Sequence, residues 1–187
     1  MKTYIGADFH WGHKNILKFC PQSRARFRDD VSYMNEAMVA EWNAVVNPDD
    51  LVYLLGDVAF LPAQKAADYM TRCNGRKILI QGNHDRKLLN DATFRACFEQ
   101  VHQYLDVTYE GQRIVMFHYP IFDHDGAGRG SLMLHGHRHG NPHHIPGKIM
   151  DVGMDSTGSI VVELDQVIAK LDKIPHMYHH DKQQPAL

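Results

Sequence analysis

The sequence predicts an α/β layered fold, and three observations predict it. Short apolar runs recur at "TYIGAD" (3–8), "LVYLLGD" (51–57) and "RKILIQGNHD" (76–85), each ending in a polar, glycine-containing turn. Segments with helical periodicity separate them. The 187-residue length allows one domain to bury roughly 70% of its unfolded surface. Strand, helix, strand, helix, strand is the order of a parallel sheet with right-handed crossovers.

Each element has its own local reason. "TYIGAD" reads as a first buried strand. Residues 31–46 carry Val31, Met34, Met38, Trp42 and Val45 at 3–4 spacing, the stripe of an amphipathic helix, and "PDD" (48–50) stops it. "LVYLLGD" is a continuous apolar run, as a strand covered on both faces requires. Residues 62–73 read as a helix with Pro62 in its first turn. After the third strand a short helix is expected over 86–99. The pattern then changes to a hairpin over 104–120 with Glu110-Gly111 at its turn. "SLMLHGHRHG" (131–140), "KIMDVGMD" (148–155) and "SIVVELD" (159–165) read as further strands, and a last helix lies near 165–172. One domain is expected over 1–175, with a frayed tail at 176–187.

Composition narrows the function classes. The net charge of −2 gives no broad basic face for non-specific nucleic-acid binding. No apolar run approaches the ~20 residues of a membrane span. The N-terminus reads directly as a strand, without the basic and apolar regions of a signal peptide. Cys20, Cys73 and Cys97 are scattered and odd in number, which favours reduced thiols and a cytoplasmic location.

The chemistry collects where the apolar runs end. Asp8 and His10 follow the first run, Asp57 the second, and Asn83, His84 and Asp85 the third. His118, His137 and His139 follow later strands. In open α/β sheets this edge binds ligands. Residues i and i+2 of an extended strand face one side, so Asp8 and His10 are expected to aim at one point. Imidazole nitrogens and carboxylate oxygens together suit divalent ions, and a metal pair needs one carboxylate as a bridge. No cysteine is in the set, which argues against a structural zinc site.

"GADFH", "LLGD", "QGNHD", "MFHYP" and "HGHRHG" together resemble the five ordered blocks of the calcineurin-like metallophosphoesterases: D-x-H, G-D, G-N-H-[DE], a lone H, and G-H-x-H. Single blocks arise by chance; five in order, across residues 8–139, are specific. The resemblance implies a four-layer α/β/β/α sandwich with two divalent ions, Mn²⁺, Fe²⁺ or Zn²⁺, and Ni²⁺ as an in vitro substitute. It implies Asp8, His10 and His139 on the first ion, Asn83, His118 and His137 on the second, and Asp57 bridging. A hydroxide held between the ions would attack phosphorus. His84 would assist the leaving oxygen, and Asp85 would hold the His84 ring. The implied activity is hydrolysis of phosphate esters, diesters ahead of monoesters because so short a chain leaves little length for a cap. A nucleotide or nucleic acid is one substrate class. The rival readings are a non-catalytic metal-binding or scaffold module on the same fold, and a metal buffer built on the 14 histidines. Oligomeric state is not legible.

Several residues outside the blocks have two readings each. His13 lines the pocket or caps a helix, and Trp11 stacks on a substrate ring or packs inside. Arg24 and Arg26 of "SRARFR", and Arg129 of the Gly-rich connector 123–131, bind phosphate or form solvated ion pairs. Asp151 and Asp155 steady the last metal-bearing loop or form a turn. The doublet His143-His144 and the tail histidines His176, His179 and His180 are read as non-catalytic.

Overall fold

The computed structural model describes residues 1–142 and 144–175; the tail and His143 therefore lie outside the described residues. Its first sheet runs β4-β3-β2-β1-β9. Strands β1 (Thr3–Gly6), β2 (Leu51–Leu54) and β3 (Arg76–Ile80) are the three apolar runs, and they pair in parallel. The central strands alternate faces, so each run fills two cores. Tyr4, Val52, Leu54 and Leu79 face the helices, while Ile5, Tyr53, Leu55, Ile78 and Ile80 face the second sheet.

Two short strands complete this sheet at its edges. The two-residue β9 (Val162–Glu163), within the strand expected over 159–165, pairs antiparallel to β1. β4 (Gln100–His102) extends the parallel set beside β3 and is not among the expected strands; it is too short to show periodicity, and pairing with a neighbour makes it a strand.

The helical side holds α2 (Val31–Val45) and α3 (Ala63–Arg72). Asp30 caps α2 by accepting from the Ser32 and Tyr33 amides. Met34, Met38 and Trp42 are buried as their spacing predicts, whereas Val45 is 48% exposed at the last turn. The short α1 (Ile16–Phe19) joins the same core through Ile16 and Leu17. The expected helix over 86–99 is broken into a 3₁₀ turn at Leu88–Asn90 and α4 (Ala92–Arg95). Asp91 sits between them in an extended conformation and caps α4 with its carboxylate, a competition with the helix that short acidic side chains favour.

The second sheet runs β5-β6-β7-β8. β5 (Tyr104–Tyr109) and β6 (Gln112–Phe117) form the expected hairpin, with Glu110 and Gly111 both at positive φ, as a tight two-residue turn requires. β7 (Leu132–His135) and β8 (Ile149–Asp151) add in parallel. Where one continuous strand was expected over 148–155, α5 (Met154–Thr157) follows β8 directly. Ile114, Met116, Leu132 and Leu134 pack against the first sheet, and α6 (Leu164–Leu171) closes that core. The outer face of the second sheet carries only Val115, Met133 and Ile149, covered by Phe117, Ile121 and Ile145. Among the described residues no helix joins this cluster, and the chain is a mixed α/β fold built on two sheets and six α-helices. No helix of the described residues is long and apolar enough to cross a membrane.

Candidate metal centre

The parallel arrangement brings the ends of β1, β2 and β3 to one edge, and backbone hydrogen bonds stitch the turns together there. The amides of Asp8 and His10 donate to the carbonyls of Gly56 and Asp57, each at 3.0 Å. From the second sheet, the Gly136 amide donates to His118 O at 3.0 Å, and Met154 N donates to Ala7 O at 3.1 Å. The loops of both sheets thus form one rim.

Asp8 and His10 do converge, for a different reason than an extended strand. β1 ends at Gly6, and the next turns are left-handed: φ is 58° at Asp8, 55° at His10, 55° at Asp57, 70° at His137 and 49° at His139. Asp and His tolerate this region better than most residues, at an energetic cost of about 1–3 kcal/mol each. Five such residues on one rim mark where stability is spent on aiming side chains.

Among the described residues three groups of side chains could hold an ion; one of them, Cys20, His139 and Asp155, shares His139, and the other two are made of the sequence-predicted ligands. One ligand atom each from Asp8, His10 and His139 lie within 4.8 Å of one another, and so do those of Asp57, His118 and His137. Between the sets stands Asp57 Oδ2, at 3.5 Å from His118 Nε2, 3.8 Å from His10 Nε2 and 3.9 Å from His84 Nε2. These separations exceed hydrogen bonds. They match donors about 3–4 Å apart around a common ion held at about 2.1 Å. Asn83 Oδ1 lies 2.9 Å from His118 Nε2, which brings Asn83 to the second set. His10 is the sharpest test of fit: it is buried, and neither ring nitrogen has a hydrogen-bond partner. An orphaned buried imidazole is costly unless a cation receives it. The donor set fits divalent ions.

The electrostatics of His10 and Asp57 point the same way, whereas in the chain alone, against the effect of burial, neighbouring carboxylates raise His118 and Asp155 brings His139 up to about 10. Burial pushes the Asp8 carboxyl up to about 7, against the pull of His139 and His118. Burial also holds His10 well below the ordinary imidazole value, so it is a neutral donor. Burial opposes ionisation of Asp57 too, yet His118, the His84 amide and His10 bring it down to about 2. A neutral imidazole and an ionised central carboxylate are the forms a cation requires.

Around these lies a tier of supports, and it corrects several expectations. Asp85 does not hold the His84 ring. Its carboxylate is buried and accepts from the backbone amides of Asp57 (2.9 Å), Val58 (2.8 Å) and Gly82 (2.8 Å), so it clamps the turn that carries Asp57. Arg24 does not reach a substrate either. It is 1% exposed, donates to both oxygens of Asp155 at 2.8 Å, and donates to the carbonyls of Asp8 (2.7 Å) and Phe9 (3.0 Å). No donor face remains for a phosphate. Asp155 accepts in turn from His139 Nδ1 at 2.8 Å, which fixes the orientation of that ring. Asp151 accepts from the amides of Gly140 (3.2 Å) and Gly153 (2.8 Å). Glycine is required where backbone meets carboxylate: a Cβ at Gly82 would stand 2.3 Å from Asp57 Oδ1, and one at Gly153 2.5 Å from Asp8 Oδ2.

The remaining candidates are placed as follows. Arg26 pairs with Glu41 and covers the Phe27 ring. Arg129 sits on the exposed 3₁₀ turn Ala127–Arg129 and pairs with Asp125, which also binds Arg113. Neither is brought to the centre. His13 lines a cleft with His10, His84 and His139, stacked on Phe60 at 4.1 Å between centroids. Trp11 is fully buried in the helical core, so it stacks on no substrate. Phe60 is the aromatic residue the sequence reading passed over; it contacts His10, His13 and His84. An isolated "AFLP" gives no sign of this.

No family model matches the chain. It is 29% identical over 184 residues to an uncharacterized protein of Methanocaldococcus jannaschii, an alignment covering 92% of each. It is 28% identical over 189 residues to the Gene 66 protein of Mycobacterium phage L5, covering 85% of this chain and 89% of that protein. Among solved structures, a protein of unknown function from Aquifex aeolicus superposes with a TM-score of 0.70 at 22% identity, covering 90% of this chain and 98% of the other. The two share a fold over that span.

Proposed function

We propose that the chain hydrolyses phosphate esters with two divalent cations, Mn²⁺, Fe²⁺ or Zn²⁺, one in each ligand set, and that it prefers diesters to monoesters. One observation carries this reading: a single buried carboxylate oxygen, Asp57 Oδ2, stands among imidazoles of both sets while His10 has no other partner. Two such ions clamp the attacking and leaving oxygens of an in-line displacement and supply hydroxide at neutral pH.

The chain's own residues do the rest. Leu55 O fixes the His118 ring through Nδ1 at 2.7 Å, as Asp155 fixes His139. His84 stands at the rim with its side chain 44% exposed, while its amide donates to Asp57 Oδ1 at 3.0 Å. Its backbone is therefore locked to the bridge and its imidazole is open to substrate. There it gives a proton to the leaving oxygen or a positive charge to a non-bridging one. Openness at His84 admits a substituent on each side of phosphorus, which is the support for diesters.

The test is a chelator-stripped protein reloaded with Mn²⁺, Ni²⁺, Zn²⁺ or Mg²⁺, with metal counted and a chromogenic diester and monoester assayed. Two ions per chain and metal-dependent diester hydrolysis are expected. A non-catalytic metal-binding module predicts bound ions and no turnover. Within an active preparation, His84→Ala is expected to retain both ions and lose turnover by roughly 10²–10⁴-fold. Unchanged turnover on a poor leaving group removes His84 from the reaction.

A further inference from the structure

Six aromatic side chains are strongly exposed among the described residues, and three of them border this one site: Phe19 at 69%, Phe60 at 38% and Tyr119 at 38%. They fall on opposite ligand sets. The Tyr119 ring lies 4.6 Å from His137 and 5.0 Å from His118. Phe60 lies 5.2 Å from His10 and 4.5 Å from His84, and Phe19 meets the His13 ring edge-on at 6.0 Å. The cleft lined by Tyr119 and the cleft lined by Phe60 share Asn83 and Arg86, and the latter cleft shares Phe60 and His84 with the one that holds Phe19. The three clefts thus adjoin one another along the metal-bearing rim.

Its charge is as distinctive as its rings. The chain carries a net charge of −2, yet no carboxylate lines any of these three clefts, while Arg86 and Lys87 do. His13 adds a buried Nδ1 without a partner. Exposed rings interleaved with cations along a carboxylate-free groove are the means by which proteins hold single-stranded nucleic acid.

Resting on the reading above, we infer that the substrate is a short single-stranded nucleic acid, its scissile phosphodiester at His84, one flanking base on Tyr119 and the other on the Phe60–Phe19 side. Stacking tolerates any base, so sequence preference is weak. Trp11 has no part in it; the rings that do are the ones left in solvent at the rim.

The experiment compares two fluorescein-labelled probes, a deoxythymidine decamer and an abasic decamer with the same backbone charge. Binding is read by anisotropy to metal-loaded protein carrying His84→Asn to slow cleavage. The base-bearing decamer is expected to bind at least tenfold more tightly. Phe60→Ala and Tyr119→Ala should each weaken it by about five- to 100-fold and leave the abasic probe within twofold. Phe19→Ala provides a third variant on a fully accessible ring, and metal content reports the integrity of all three. Equal affinity for the two probes, or full affinity in all three variants, overturns the inference. These outcomes are separable from failure of the proposed function: a chain that holds two ions and cleaves the chromogenic diester but ignores bases refutes only the substrate class.

Discussion

Asp57→Asn is expected to lower bound metal from two ions per chain to one or none and to cut ester hydrolysis by on the order of 10³-fold or more. The substitution keeps shape and removes charge. The carboxamide oxygen can still accept from the His84 amide, now 3.0 Å from Oδ1, so the turn stays folded. The amide nitrogen then replaces Oδ2 opposite His10, His84 and His118, where it is a donor facing donors of a cation. Two cations a few ångströms apart repel strongly, and the shared carboxylate is what offsets that repulsion. Metal counting on the folded variant checks this. Two tightly held ions in Asp57→Asn show that the carboxylate is not a bridge.

Arg24→Met carries the largest expected loss of stability, about 3–5 kcal/mol by chemical denaturation. The guanidinium and the Asp155 carboxylate are 0% and 1% exposed, so removing the cation leaves a buried charge without its partner. It also orphans the carbonyls of Asp8 and Phe9, on the turn that presents Asp8 and His10. Because Asp155 also binds His139, weaker metal retention in the Asp8–His10–His139 set should accompany the loss of stability. The double variant Arg24→Met, Asp155→Leu removes both charges, and its loss is expected to be smaller than the sum of the two single losses. Additive losses show that the pair is not coupled.

These two residues also show what can be read from the chain and what cannot. Asp57, like Asp8, His10, Asn83, His118, His137 and His139, stands out in the sequence because an apolar run ends near it, but so does Asp85, which serves the backbone instead. The strands and the 31–45 helix follow from periodicity that burial imposes. Arg24 and Asp155 are 131 residues apart, and nothing local distinguishes a buried arginine from the solvated Arg26 two places on. The family resemblance implies that Asp85 holds the neighbouring His84 ring; only the folded turn shows three backbone amides converging on its carboxylate instead. The left-handed turns at Asp8 and His10 carry no glycine to reveal them. An edge strand as short as β4 exists only through its partner.

The central claim is that side chains from both sheets surround a pair of cations on either side of one carboxylate. A crystal grown with Mn²⁺ and measured for anomalous scattering tests it most directly. Two peaks, each within bonding reach of Asp57 and one each beside the His10 and His118 imidazoles, are the predicted result; full-occupancy manganese elsewhere, with Asp57 touching none, contradicts it.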